Sequence, residues 1–243
     1  MKASPKEQQQ LLELQQADLK LGRLSHAMKT HPLRAKLAEL EGRAADLERF
    51  VVGQTTVLQD AGAKASALEE QIGRVRARKD LQQDRLESGK VGVRDMSAVE
   101  HEILQIGARQ DQLEGELLGL MEAIEAAEQR VADAKAQVEA LRQDESQTLA
   151  QLESELQEPI AEREATAARI AELRDALPDE VTREYDRLRE RQGPVAVLQL
   201  REGSLVNSPV SLAREELDQA AVAPEDELWI SEETGFLVVR VPK

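Results

Sequence analysis

The hydrophobic pattern is dominated by two seven-residue repeats. From Leu33 to Leu86 one register holds for eight heptads, with Leu37, Ala44, Val51, Leu58, Ala65, Ile72, Lys79 and Leu86 at one core position. Leu33, Leu40, Leu47, Gln54, Ala61, Leu68, Val75 and Gln82 occupy the other, and thirteen of these sixteen residues are apolar. A second register runs from Ile103 to Glu155 through Gln110, Leu117, Ile124, Val131, Val138, Glu145 and Leu152, alternating with Ile106, Leu113, Leu120, Ala127, Ala134, Leu141 and Thr148. Twelve of its sixteen positions are apolar. Two strict heptad seams of equal length predict two supercoiled helices that bury those seams.

The segment Ser88-Gly89-Lys90-Val91-Gly92 separates them, and Ser97-Ala98-Val99-Glu100 fits a capping box at a helix start. A turn is therefore expected at about residues 88–96. So short a connection favours an antiparallel intramolecular hairpin over a parallel dimer of straight helices. Arms of roughly 55 residues would reach on the order of 80 Å at the helical rise. Pro32 and Pro159 interrupt the helical pattern and predict kinks, which the hairpin register brings to nearly one level. Below them, residues 5–30 (Leu14, Leu21, Leu24, Met28) should pack against 160–190 (Ile160, Ile170, Leu173, Leu188) as a helical base. Pro178 suits the first turn of a last helix, with Asp179 and Glu180 behind it.

At Gly193-Pro194 the pattern changes to short β-rich runs, beginning at Pro194, Leu228 and Phe236, with one helix expected at about Leu212 to Ala220. The expected fold is mainly α. It comprises a helical coiled-coil hairpin over residues 1–192, with a kinked base, and a small C-terminal β-rich domain over 193–243.

Composition agrees, with 33% charged and only 2% aromatic residues, a profile of helices paired along narrow seams. A net charge of −15 opposes a nucleic-acid surface spread over the whole molecule. The N-terminal stretch MKASPKEQQQ lacks a signal peptide's apolar run, and no eighteen-residue apolar run exists, so a cytoplasmic, non-membrane protein is expected. The absence of cysteine excludes disulfides, thiol nucleophiles and thiolate metal sites.

LeuLeuGluLeuGlnGlnAlaAspLeu near the start, ArgLeuGluSerGlyLysVal at the turn, HisGluIle at 101 to 103 and TyrAspArgLeuArg from Tyr185 stand out along the chain. Together with the hairpin and the C-terminal β-rich part, they resemble the bacterial C4-type zinc ribbon proteins, a family with coiled-coil arms. The resemblance implies a C-terminal ribbon with two Cys-x-x-Cys knuckles. Here the knuckle positions fall on Leu205-Val206-Asn207-Ser208 and on Ser231-Glu232-Glu233-Thr234, the latter followed by Gly235 and Phe236. The four implied ligand positions are occupied by Leu205, Ser208, Ser231 and Thr234, none of which supplies a thiolate. The resemblance thus implies a degenerate, metal-free ribbon held by packing of Leu198, Leu200, Leu205, Leu217, Trp229, Ile230, Phe236 and Val238 beside the helical base.

The most distinctive charge feature is the basic stretch Arg74, Arg76, Arg78, Lys79, Arg85, Lys90 and Arg94 at the hairpin tip, opposed on its own segment by Asp80, Asp84 and Glu87. It reads either as a contact for phosphate or an acidic protein surface, or as a solvated helix face with i,i+4 pairs. No aromatic residue lies near it to stack on bases. His26, His31 and His101 form no i,i+4 metal pair, and no phosphate loop or nucleophile elbow occurs, so no cofactor and no catalytic constellation is expected. Residues 193–243 carry Arg201, Arg214, Arg240 and Lys243 against nine acidic side chains, which suits a protein partner better than nucleic acid. The resulting expectation is a non-enzymatic adaptor or scaffold, monomeric or weakly dimeric, that binds macromolecules through the tip and the C-terminal domain. An RNA-binding regulator using the basic tip is the alternative.

Overall fold

A computed structural model describes residues 1–206, 208 and 210–241; Asn207 and Lys243, named above, lie outside the described residues. The chain is mainly helical, in the order α1 (Pro5–Lys29), α2 (Pro32–Glu87), α3 (Met96–Ala176), α4 (Asp179–Gln192), β1 (Val197–Arg201), β2 (Ser204–Val206), α5 (Arg214–Val222), β3 (Trp229–Ile230) and β4 (Leu237–Arg240). It divides into two compact units, Met1–Arg34 with Ala150–Lys243, and Ala35–Leu149.

In the second unit the facing stretches of α2 and α3 form the expected antiparallel pair. Arg142 bonds Glu48 at 3.0 Å, Arg76 bonds Glu114 at 3.2 Å and Gln82 bonds Glu102 at 3.0 Å, the register that oppositely directed arms require. The buried residues of this unit, Leu40, Ala44, Ile72, Ile106, Leu113, Ala127, Val131, Ala134, Leu141 and Thr148, all occupy heptad core positions. The turn also falls where the spacing put it, between Glu87 and Met96.

Its capping differs from expectation. The helix α3 begins at Met96, so Ser97 already lies inside the first turn, and among the described residues no reciprocal Ser97–Glu100 pair forms. The capping box of this chain is at α1, where Ser4 Oγ accepts from the Glu7 N–H and Glu7 Oε2 accepts from the Ser4 N–H at 2.6 Å.

The first unit corrects the proline reading. Pro32 marks a break rather than a kink: α1 ends at Lys29, and Thr30 turns its N–H and hydroxyl onto the His26 carbonyl. Pro32 then opens α2, at the position where a missing N–H costs least. Pro159 stays inside α3. His31 Nε2 meets Glu155 Oε2 at 3.2 Å, so the two proline-bearing levels do lie side by side. Pro178 serves as the N-cap of α4, one residue before its first turn, and α5 starts at Arg214 rather than Leu212.

The sheet has the order β2-β1-β4-β3, with β1 and β4 parallel and both outer pairs antiparallel. Successive side chains of a strand point to opposite faces, and the two faces fill different cores. One face sends Val197, Leu237 and Val239 against Leu11, Leu14, Leu173, Tyr185 and Leu188. The other sends Leu198, Leu200 and Val238 against Leu212, Ala220 and Phe236, with Leu205, Leu217 and Trp229 at the margin. Ile230 joins the first cluster instead. Of the base residues expected from sequence, Leu14, Leu173 and Leu188 are buried, Ile170 borders their core, Leu21, Leu24 and Met28 are half-buried and Ile160 is exposed.

Polar groups fix this base. Buried Gln15 donates to the Val197 carbonyl at 2.7 Å and accepts from the Ala196 and Val197 N–H groups at 2.7 and 2.6 Å, which anchors the start of β1 to α1. Tyr185 is fully buried and donates to Asp18 Oδ2 at 2.8 Å. Arg189 reaches the same oxygen at 2.8 Å and lies over the Tyr185 ring. Burial, with the Asp18 carboxylate next in importance, pushes the Tyr185 phenol above its ordinary range.

Candidate functional site

Two places carry the residues singled out from the sequence. The first is the turn between α2 and α3. At the end of α2, Lys90 N–H bonds the Arg85 carbonyl and Gly89 N–H bonds that of Leu86, each at 3.3 Å, with Gly89 in the left-handed region at φ +66°. This is the Schellman closure, and it explains why the chain can leave a long helix within two residues. A short turn from Gly92 to Asp95 then starts α3.

The basic stretch does not act as one block. Arg76 is held by Glu114 and Arg78 by Glu102, both from the opposite arm. The hydrogen bond from Arg78 pulls the Glu102 carboxyl below its usual range, and Gln110 followed by Arg76 does the same for Glu114. Arg85 bonds Gln82 at 2.9 Å, and Arg74 sits 3.7 Å from Glu70 one turn back. Lys79 lies along Gly107, where an added Cβ would come within 3.6 Å of its Nζ. Over residues 72–116 eight basic side chains meet nine acidic ones, so the excess read along α2 is met by the carboxylates of α3. Lys90 and Arg94 differ from Arg74, Arg76 and Arg78 in having no ion pair among the described residues, and unlike Lys79 and Arg85 they lie in the turn itself. Val93 stands between them, 89% exposed.

The second place is the turn 231–235 in the C-terminal part of the first unit. Ser231 is buried, its N–H bonds the Phe236 carbonyl, and the Gly235 N–H returns to the Ser231 carbonyl at 2.8 Å with Gly235 at φ +76°. The Thr234 N–H and hydroxyl both donate to Ser231 Oγ, at 3.0 and 2.7 Å. At the centre of the turn sits the carboxylate of Glu216 from α5, itself buried. It accepts from the Ser231 hydroxyl at 2.9 and 3.0 Å, from the Glu232 N–H at 2.9 Å and from the Glu233 N–H at 3.4 Å. Ser208 closes a local turn with Val210, donating at 2.6 Å, and Leu205 lies in β2. These four positions do not fit a zinc ion. One is an alkyl chain, the hydroxyls of the other three are engaged internally, and no cluster of three or more His, Asp or Glu side chains could hold a metal among the described residues.

The histidines stay apart in role as well. His31 pairs with Glu155, His101 shares a hydrogen bond with Gln105 at 3.0 Å, and His26 contributes its carbonyl to the end of α1. Sequence reasoning missed Glu216, Gln15 and Asp18. A lone Tyr in a chain so poor in aromatics was the one available signal, and it pointed to Asp18 only through the fold.

Residues 14–193 match the family model described as the CT398-like coiled coil hairpin domain. The chain belongs to this family. Similar proteins include the uncharacterized protein Rv2229c of Mycobacterium tuberculosis strain H37Rv and the uncharacterized protein MT2288 of strain CDC 1551. Each is 29% identical over 246 residues, covering 99% of this chain and 98% of the relative. Among solved structures, one from Mycobacterium smegmatis superposes with a TM-score of 0.84 at 25% identity, over 99% of this chain and 100% of that one. CT398 from Chlamydia trachomatis gives 0.77 at 15% identity over 97% and 98%. HP0958 from Helicobacter pylori gives 0.55 at 13% over 99% and 100%. The last two show the fold alone. The family is described by its coiled-coil hairpin and bears no enzymatic name. No helix among the described residues is long and apolar enough to cross a membrane.

Proposed function

We propose that this protein works without catalysis, as an adaptor or scaffold in the cytoplasm that binds macromolecular partners through the hairpin turn and the C-terminal domain, with a protein as the partner at the turn. The observation that carries this reading is Val93, 89% exposed, between Lys90 and Arg94, which have no ion pair among the described residues. An exposed apolar residue flanked by uncommitted cations suits a partner surface with an apolar hollow and an acidic rim. Arg76 and Arg78 are already neutralised by Glu114 and Glu102, and residues 72–116 hold no Phe, Tyr or Trp, so the RNA-binding alternative draws less support. At the C-terminal domain, exposed Glu215, Asp218, Glu232 and Glu233 and the 84% exposed Val222 support a second contact of opposite sign.

A photo-cross-linking amino acid placed at position 93 in living cells tests the reading. The expected result is a discrete protein adduct that survives nuclease and disappears in the Lys90→Glu/Arg94→Glu variant. An adduct pattern unchanged by the charge reversal, or one that nuclease removes, overturns it. Residues 193–243 share a core with α1 and α4, so Val222→Asp, rather than truncation, tests the C-terminal contact.

A further inference from the structure

The middle of the second unit leaves apolar surface uncovered. Two helices alone bury a seam incompletely, and here the seam residues Leu58, Leu120 and Ile124 remain half-exposed beside a groove of about 390 Å³ lined also by Ala61, Ala123 and Ala127. On α2, Asp46, Phe50, Gly53, Val57 and Lys64 follow at steps of four, three, four and seven residues, so they share one helix face, and Val57 and Lys64 also line the groove. Phe50 is 41% and Val57 55% exposed, and nothing lies within 4 Å of where a Cβ would stand on Gly53.

We propose that this face binds a second copy of the chain, with the two α2 helices antiparallel about a two-fold axis at the level of residue 55. The face is self-complementary about that level. Val57 and Gly53 lie equally far on either side of residue 55, so the exposed valine of each copy enters the gap over the glycine of the other. Lys64 and Asp46 are likewise symmetric about it, which sets the ammonium of each copy against the carboxylate of the other. Lys64 has no ion pair among the described residues, and the Asp46 carboxylate, 71% exposed, is held only by the exposed i,i+3 pair with Arg49, which it would share with the incoming Lys64. Phe50 comes to the level of Asp60 and Ala61, two of the residues that line the partner's groove. Each copy uses the same patch, so the contact closes on itself and yields a dimer rather than a filament.

The absence of cysteine makes the test clean. Chains carrying Gly53→Cys and Val57→Cys, mixed under mild oxidation, should give a disulfide-linked heterodimer several-fold faster than either alone. Leu104→Cys, on the exposed outer side of α3, should give none with either. Sedimentation velocity of the full chain should show concentration-dependent association, weakened by Asp46→Lys or Lys64→Asp singly and restored by the two together. Asp46 and Lys64 are exposed, so circular dichroism of each variant should match that of the wild type. A chain monomeric at every concentration, equal cross-linking at position 104, or no recovery in the double reversal overturns the proposal. So does a monomer whose Val57→Asp variant loses a different protein, which would give the face to that partner.

Discussion

Removing the Glu216 carboxylate should loosen the C-terminal turn more than any other single exposed-to-buried acidic change in the domain. Glu216→Ala deletes an acceptor that serves the Ser231 hydroxyl and the N–H groups of Glu232 and Glu233 at 2.9 to 3.4 Å. Hydrogen bonds to a charged group contribute about 1.5–3 kcal/mol each, and a buried donor left without a partner costs about 1–3 kcal/mol. Glu232 and Glu233 are exposed, so water can replace the carboxylate at their N–H groups, whereas Ser231 is 1% exposed and its hydroxyl cannot recruit water without opening the turn. The loss should therefore fall at about 2–4 kcal/mol, well below the simple sum of the bonds. Glu216→Gln keeps the shape and one acceptor oxygen but turns an amide N–H₂ toward donors, so it should fall between wild type and alanine. Because the chain has two compact units, a single global unfolding energy is not well defined, and the measurement should be local. Native-state hydrogen exchange at the amides of residues 232–235 reports the opening directly. Protection unchanged in Glu216→Ala would refute the reasoning and show that the turn holds itself through Ser231 and Thr234 alone.

Two further outcomes follow from the base of the first unit. Gln15→Leu leaves the Val197 carbonyl and two buried N–H groups unpaired, so it should cost about 2–4 kcal/mol and speed exchange along β1. Tyr185 is the chain's one tyrosine, and its phenol is raised above the ordinary value because burial disfavours the anion. The folded state therefore holds this proton when the unfolded state has released it; the stabilisation is complete below about pH 10 and is lost as pH rises beyond it. Near-ultraviolet tyrosinate absorbance should then appear only together with loss of the near-ultraviolet dichroism. Ionisation of Tyr185 in a chain still folded would contradict the assignment.

The hairpin was readable because its physics is periodic. A seam buried between two helices must repeat every seven residues, and thirteen and twelve apolar positions of sixteen leave no second register to choose. Gly89 and Gly92 then mark the turn. The break at Pro32 is indistinguishable from a kink in sequence, which shows that proline ends a helical run without saying whether the run resumes in the same helix. The continuation depended on Thr30 and His26 closing α1, a geometry in which any of several residues would serve.

The C-terminal turn marks the other boundary of what patterns reveal. Spacing located residues 231–235 as a knuckle because Gly235 and the following apolar run are local signals, but it offered only neutral hydroxyls to fill it. The occupant is a carboxylate fifteen residues away on α5, one of nine acidic side chains in the segment and indistinguishable from the others in sequence. Only the packing of Leu212 and Ala220 against the sheet aims Glu216 inward while Glu215 and Asp218 face solvent. The same logic separates the tip arginines. Arg76 and Arg94 look alike along α2 and the turn, yet one faces Glu114 across the seam and the other has no partner among the described residues. A row of like charges on a hairpin arm thus becomes a candidate contact only where the opposite arm ends, which is why the apex residues Lys90, Val93 and Arg94, rather than the longer basic run, carry the functional proposal.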